Sequence, residues 1–200
     1  GMLLANEASG FGRKLPSYDF GAAKVVVSLE ADFLGTWLSP VEFAKAYSKG
    51  RKIDEKNPSM SKHYHFEGHL SMTGSNADER FTHRPSETAS VALELLNAIS
   101  GTAGAALSGK LAEGIKKAAA DLNAHKGAAL VVSGSNDKNV QVIVNAINNA
   151  IGAYGTTVDW GSPVNYRQGI DGEFEQLIAD MEAGTIGTLM IQGANPAYTY

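Results

Sequence analysis

The sequence predicts an α/β fold with a doubly wound, mostly parallel sheet and helices on both faces. Short β-branched runs alternate along the chain with amphipathic helical segments, which is typical of strands joined by helical crossovers. The run at residues 24–29 is apolar almost throughout, as expected for a strand that is covered on both faces. No strong linker splits the chain, so these elements are expected to share one sheet.

The predicted elements alternate in order. Ser39 is a good N-cap and Pro40 is tolerated at the first helical position, so a helix is expected from there to Gly50. Gly184 is expected to end the last helix. The predicted strands are residues 24–29, 62–70, 128–132, 156–160 and 188–191, and the predicted helices are 39–50, 84–99, 111–125, 139–151 and 173–183.

The domain organisation follows from the same pattern. Residues 1–17 have no clear periodicity and predict an extended lead-in, while residues 18–200 predict a single α/β domain. Gly1 precedes Met2 and is therefore interpreted as a scar of tag cleavage. The chain is expected to be a fragment of a longer one.

Composition excludes several classes of function. The net charge is −4 and no basic stripe is present, which argues against nucleic acid as a partner. The chain has no cysteine, hence no disulfide, no thiolate nucleophile and no usual iron–sulfur ligands. No apolar run approaches the roughly 20 residues that span a bilayer.

Ligands of open parallel sheets bind beyond the carboxyl ends of the strands. The loops 30–35, 70–76, 133–137, 160–163 and 192–196 are expected to share that edge. The turn formed by Ser133, Gly134, Ser135 and Asn136 precedes a helix, and its free N–H groups are suited to hold a phosphate. The alternative, a well-capped connection without a ligand, is favoured because such turns recur throughout this fold class.

Two other patterns suggest sites. Residues 104–110 nearly match a phosphate-binding loop, but Leu111 replaces the magnesium-binding Ser or Thr and no strand precedes the loop. His63, His65 and His69 would share one face of an extended strand, which suggests a metal site. The alternative is a partly exposed strand with polar side chains, and it is favoured because no zinc-ligand spacing is completed elsewhere. His83 is interpreted as a surface or capping group, and no catalytic residue is predicted.

Several stretches together resemble a known family. They are Tyr18-Asp19-Phe20, residues 25–35, residues 73–81 followed by Arg84-Pro85-Ser86, residues 131–134, residues 145–148 and residues 191–196. In this order and spacing the chain resembles the molybdopterin-oxidoreductase-like subunit of the quinol-oxidising alternative complex III. The resemblance covers nearly the whole chain from Tyr18 onward, and it depends on the order of the stretches rather than on any single motif.

The resemblance implies a cofactor site whose residues differ in this chain from those of the molybdopterin enzymes. In molybdopterin enzymes a helix-opening Arg-Pro-Gly-Thr-Asp run helps to hold the pterin dinucleotide, whereas this chain has Ser86, Glu87 and Thr88 after Arg84-Pro85. Loss of the glycine hinders close approach of the backbone, and the Glu87 carboxylate would repel a phosphate. The vestigial or weak cofactor-binding residues are Ser133, Gly134, Ser135, Asn136, Arg84, Ser86, Glu87, Thr88, Gly193 and Asn195.

Two main hypotheses follow. In the first, the chain is a cofactor-less scaffold domain of a membrane-associated respiratory quinol oxidoreductase subunit on the bacterial periplasmic side. Its partners are then the other domains of the parent chain and the subunits of the complex, and iron–sulfur clusters lie only in the missing part of the parent. In the second, the domain helps to bind molybdopterin guanine dinucleotide. A third idea is an independent nucleotide-binding module that uses residues 133–137.

Overall fold

The computed structural model describes residues 1–53, 55, 58–102, 104, 107–166 and 168–200. They form two compact units, residues 1–166 and 167–200, each of which is considered by itself. The first unit holds strands β1 (Leu15–Tyr18), β2 (Val25–Leu29), β3 (Lys62–Glu67), β4 (Glu79–Thr82), β5 (Ala129–Ser133) and β6 (Val158–Val164). Its helices are α1 (Met2–Ala8), α2 (Pro40–Arg51), α3 (Met72–Ser75), α4 (Thr88–Ser100), α5 (Gly109–Ala124) and α6 (Lys138–Ala150), while α7 (Asp171–Glu182) and α8 (Pro196–Thr199) belong to the second unit.

A four-stranded parallel sheet in the order β4-β3-β2-β5 forms the centre of the first unit. Every residue of β2 and β5 is buried, and all but one residue of each strand, a serine, are apolar. A strand without an exposed face must be covered on both sides, which explains the continuous apolar runs in the sequence.

Helices lie on both faces of this sheet. Adjacent strand residues point to opposite faces, and in β3 the His63 ring meets Tyr47 of α2 while the Tyr64 hydroxyl donates to Asp121 of α5 at 2.6 Å. Helices α2 and α5 therefore cover opposite faces. Helix α4 packs against both α5 and α6. The predicted fold class, a doubly wound and mostly parallel α/β sheet, is confirmed.

The prediction that residues 1–17 form an extended segment is wrong. Residues 2–8 form α1, which buries Leu3 and Ala5, and β1 follows within the same stretch. Helix α1 packs against α6, where the Asn145 side chain donates to the Asn6 amide oxygen at 2.9 Å. The stabilising contacts are distant in sequence, so local periodicity could not indicate them. The predicted boundaries at 1–17 and 18–200 otherwise stay a prediction.

Two predicted strands do not join the parallel sheet. Strand β6 pairs antiparallel with β1 in a separate two-stranded sheet, and residues 188–191 form no strand. The outer edge of β5 is already closed by side chains. Thr157 donates to the Ala129 carbonyl at 2.7 Å, and the Asn148 amide pairs with both backbone groups of Val131 at 3.0 and 2.8 Å. A further strand would have to displace these bonds.

Within the described residues, no helix is both long enough and apolar enough to cross a membrane.

Candidate functional site

The carboxyl edge of the parallel sheet has a topological switch point between β2 and β5. Along the chain the sheet grows from β2 through β3 to β4, and then returns to β5 on the other side of β2. Loops that leave two neighbouring strands in opposite directions open the crevice where such folds bind ligands. Loops 30–35 and 133–137 therefore flank the candidate site.

The two loops at the switch point touch through their backbones. The Gly134 N–H donates to the Leu29 carbonyl at 2.9 Å, and a Cβ atom on Gly134 would lie 2.3 Å from the Glu30 carbonyl oxygen. Glu30 itself has a φ of 55°, which is unusual for a residue with a side chain. Glycine is thus required at position 134 by the neighbouring loop, without any need for a ligand.

The turn after β5 uses its own N–H groups. The Ser135 N–H donates to the Ser133 hydroxyl at 3.2 Å, and the Asp137 N–H donates to the Ser135 hydroxyl at 3.1 Å. The Asp137 carboxylate caps α6 by accepting from the Asn139 N–H at 2.7 Å. A phosphate would have to compete with these bonds and approach a carboxylate. The arrangement matches the well-capped turn better than a phosphate cradle.

The run after β4 is also engaged in capping. The Glu87 carboxylate accepts from the Arg84 backbone N–H at 2.8 Å, and the Thr88 hydroxyl donates to the Pro85 carbonyl at 2.9 Å. These bonds stabilise the 3₁₀ turn Pro85–Glu87, which leads into α4. Ser86 is exposed. Glu87 and Thr88, which depart from the molybdopterin pattern, have structural roles at this helix start.

The structure does not bring all predicted cofactor residues together. Strands β4 and β5 are the two outer strands of the sheet, so Arg84 and Ser133 follow strands three spacings apart, about 14 Å. Gly193 and Asn195 lie in the second unit, where Asn195 precedes α8. Residues 160–163 were predicted to form a loop at the carboxyl edge of the parallel sheet. They lie within β6 instead, which belongs to the other sheet. The near match to a phosphate-binding loop, 104–110, falls partly outside the described residues.

A buried histidine at this edge was missed by sequence reasoning. His83 directly follows β4 and is buried, which corrects its interpretation as a surface group. Its Nδ1 lies 2.8 Å from the Arg84 carbonyl, which only accepts, so Nδ1 carries the hydrogen. Nε2 has no hydrogen-bond partner in the described part of the chain and faces the Glu30 carboxylate at 4.0 Å. No sequence pattern indicated this pair.

The histidines of β3 form a buried polar network instead of a metal site. His63 and His65 share one face of the strand, as predicted, but both are fully buried and His69 is exposed. Both the three-histidine site and the favoured alternative of a partly exposed strand are therefore wrong. Among the described residues, no group of three or more His, Cys, Asp or Glu side chains is placed to hold a metal ion.

Ser28 of β2 lies at the centre of this network. Its hydroxyl contacts His63 Nε2 at 2.8 Å and also contacts His65 Nδ1. The other side of the His65 ring, Nε2, lies 2.9 Å from the Glu67 carboxylate, which in turn accepts from Arg80. The Ser28 hydroxyl can donate its hydrogen to one of the two histidine rings, and its oxygen accepts a hydrogen bond from the other ring. The network thus couples two strands through one serine.

The electrostatics of the network favour neutral histidines and a charged glutamate. Burial, followed by the neighbouring His65, lowers the pKa of His63 to about 3, and burial also lowers the pKa of His65. Burial alone would raise the pKa of Glu67, but hydrogen bonds from Arg80, Ser71 and His65 outweigh it and lower that pKa. Ser28 is fully buried in mid-strand, so a substrate cannot reach its hydroxyl. The Ser–His–Glu order is consequently a structural arrangement.

The fold and site together define a doubly wound α/β domain whose turn after β5 is stabilised by its own hydrogen bonds. No family model matches the chain, and no curated protein matches it either.

Proposed function

We propose that the chain is a cofactor-less, molybdopterin-oxidoreductase-like scaffold domain of a membrane-associated respiratory quinol oxidoreductase subunit. The observation that carries the proposal is the turn after β5, whose Ser135 and Asp137 N–H groups are bonded within the turn. A loop that satisfies its own donors gains little by binding a phosphate. The capping roles of Glu87 and Thr88 at the other cofactor position support the same conclusion.

The surroundings of such a scaffold come from the sequence resemblance. They are the other domains of the parent chain and the subunits of the quinol oxidoreductase complex, on the periplasmic side of a bacterial membrane. The chain alone is proposed to lack catalysis, because the serine–histidine–glutamate arrangement around Ser28 is closed to substrate. Electron transfer then depends on the iron–sulfur part of the parent.

A second candidate function is a share in binding molybdopterin guanine dinucleotide. The switch point between β2 and β5 favours it, since that position is where doubly wound sheets bind ligands. The unpartnered His83 Nε2 at the same edge would accept a hydrogen bond from a ligand. Against it stand the separation of Arg84 from Ser133 and the carboxylates Glu87 and Asp137 at the two phosphate positions.

Elemental analysis of the purified intact parent tests the proposal. Iron serves as the internal control, because it reports whether cofactors survive purification. The scaffold function predicts iron without molybdenum, and phosphorus no higher than in the buffer blank. Molybdenum and phosphorus in stoichiometric amounts would contradict the scaffold function and establish the second candidate.

A further inference from the structure

Helix α7 carries an apolar stripe that the described chain leaves partly open. Phe174, Leu177, Ile178 and Met181 follow the i, i+3, i+4, i+7 spacing that places side chains on one face of a helix. No residue of α7 is buried, although a stripe of this kind normally packs against another element.

The stripe forms one wall of a groove in the second unit. The opposite wall comes from the segment after α7, where Leu189, Met190 and Ile191 are exposed, and Met190 is exposed to 89%. Tyr200 also lines the groove and packs edge-on against the Phe174 ring, with centroids 5.0 Å apart. The groove encloses about 650 Å³. Contiguous exposed apolar surface of this kind marks an interaction site.

The charged residues that flank the apolar stripe on α7, here called the acidic rim, are all carboxylates. Residues 168–200 contain five carboxylates and no lysine, arginine or histidine; the carboxylates are Asp171, Glu173, Glu175, Asp180 and Glu182. All five lie on α7, beside the apolar stripe. The whole chain has a formal charge of −4, so the negative charge is concentrated in this short segment.

We propose that this groove docks a protein segment that carries apolar side chains between lysines or arginines. Binding is favourable when apolar side chains of a partner cover the groove and exclude water from it. The acidic rim selects a basic partner and orients it. Helix-in-groove recognition uses this combination of apolar anchors and flanking charges. The inference deepens the proposed scaffold function, because it states which kind of surface the scaffold holds.

The same charges exclude other occupants. Phosphate groups and anionic lipid headgroups would be repelled by the carboxylates of α7. A second copy of α7 would bring the same acidic rim against itself. A basic, apolar protein segment is the occupant that satisfies both the apolar groove and the acidic rim.

Binding of two designed helical peptides of equal length tests the proposal. One peptide has leucines on one face and lysines on the other, and its match has glutamates in place of the lysines. Fluorescence anisotropy with the complete 200-residue chain should show about tenfold or greater preference for the lysine peptide, weakening as salt is raised. Ile178→Asp should reduce its affinity about tenfold, and Glu182→Lys should reduce it severalfold.

Val41→Asp is the matched control, because Val41 is 85% exposed on α2, outside the groove, and the substitution adds the same charge. Its affinity for the lysine peptide should equal that of the parent chain. Circular dichroism confirms that each variant keeps its helix content.

Three results would overturn the proposal. They are equal affinity for both peptides, no loss of affinity in both groove variants, and a dimer in sedimentation that Ile178→Asp dissociates, which would make a second copy the occupant. None of them depends on metal content, so this proposal and the scaffold function fail separately.

Discussion

The polar side chains of the network around Ser28 can be buried in the first unit because each of them has a hydrogen-bond partner. Ser28, His63, His65 and Glu67 are buried against apolar neighbours, where an unpaired polar group costs about 1–3 kcal/mol. The hydroxyl of Ser28 pairs with both rings, and Arg80 balances the carboxylate. The network therefore joins β2 to β3 with defined hydrogen bonds as well as by apolar packing.

Ser28→Ala tests this role. Removal of one hydroxyl leaves His63 Nε2 and His65 Nδ1 without their shared partner, so the free energy of unfolding should fall by about 2 kcal/mol. Urea unfolding measures the change. Ser48→Ala, on the exposed face of α2, is the control and should stay within about 0.5 kcal/mol of the parent chain. Equal effects of the two substitutions would show that the network does not stabilise the fold.

The buried histidines also predict a pH dependence of stability. The pKa of His63 is lowered to about 3 in the folded chain, whereas a histidine in an unfolded chain titrates near 6.5. Between these values the unfolded chain binds more protons, so the free energy of unfolding falls as the pH is lowered from about 7 to about 5. Averaged over this range, the expected slope is about 1 kcal/mol per pH unit for each histidine that stays neutral in the folded chain.

Urea unfolding at about pH 7 and about pH 5 measures that slope. His63→Gln should make the slope shallower, while His69→Gln, at an exposed position, should leave it unchanged. The carboxylates whose pKa values are lowered, Glu67, Asp78 and Glu79, titrate below this window in both the folded and the unfolded chain and contribute little to the slope. A slope that His63→Gln leaves unchanged would contradict the assignment.

At the scale of elements, the outer edge of β5 decides where the sheet ends. Three consecutive outward-facing carbonyls, those of Ala129, Val131 and Ser133, accept hydrogen bonds from side chains. The donors are Thr157, Asn148 and Gln141. An open edge strand invites pairing with another chain, and these side chains occupy the groups that such pairing would use.

Asn148→Leu should remove the side-chain hydrogen bonds from the outer edge of β5 at Val131. The substitution leaves the N–H and carbonyl of Val131 without the amide that serves both, so the free energy of unfolding should fall by about 2–3 kcal/mol. Asn149→Leu is the matched control: it is the next residue of α6, it is exposed, and it should change stability by less than about 0.5 kcal/mol. Indistinguishable unfolding curves for the two variants would show that the edge does not depend on Asn148.

Sequence patterns predicted the elements with strong local signals. Helix α2 begins at Pro40 after Ser39, and β2 covers residues 25–29, both close to the predicted bounds. Strand β4 was missed because its four residues alternate between half-buried and exposed and include one large apolar residue, Phe81. Residues 188–191 have the apolar composition of a strand but form none. Whether a short apolar run pairs depends on a free edge, which local sequence does not encode.

The candidate site was less predictable than the fold. The switch-point loops 30–35 and 133–137 were expected at one edge, and the parallel sheet brings them together. The network around Ser28 depends on the register of β2 against β3, where Ser28 lies beside His65. The His83–Glu30 pair joins residues 53 positions apart through two loops. Pairings of this kind arise from strand order, which single-sequence periodicity does not supply.

At the scale of the whole molecule, the first unit has a buried core with an internal hydrogen-bond network, and the second unit has an exposed apolar surface. In residues 1–166 the turn after β5 is held by Ser133 and Asp137, and the outer side of β5 is covered by the Asn148 amide. Residues 167–200 instead carry an acidic, apolar groove. The proposed scaffold function requires a stable interior and a surface that binds neighbouring proteins, and these two features correspond to them.

Thermal melting of the chain with and without GDP tests the central claim most directly, with guanosine as the phosphate-free control. A ligand at about 100 times its dissociation constant stabilises the folded state by roughly 2.7 kcal/mol, which for a chain of this size raises the melting temperature by about 5–10 °C. The scaffold function predicts no rise with GDP, because the Ser135 and Asp137 N–H groups of the turn after β5 are already bonded. A saturable rise with GDP that guanosine does not produce would contradict it and show that the sheet edge holds a nucleotide.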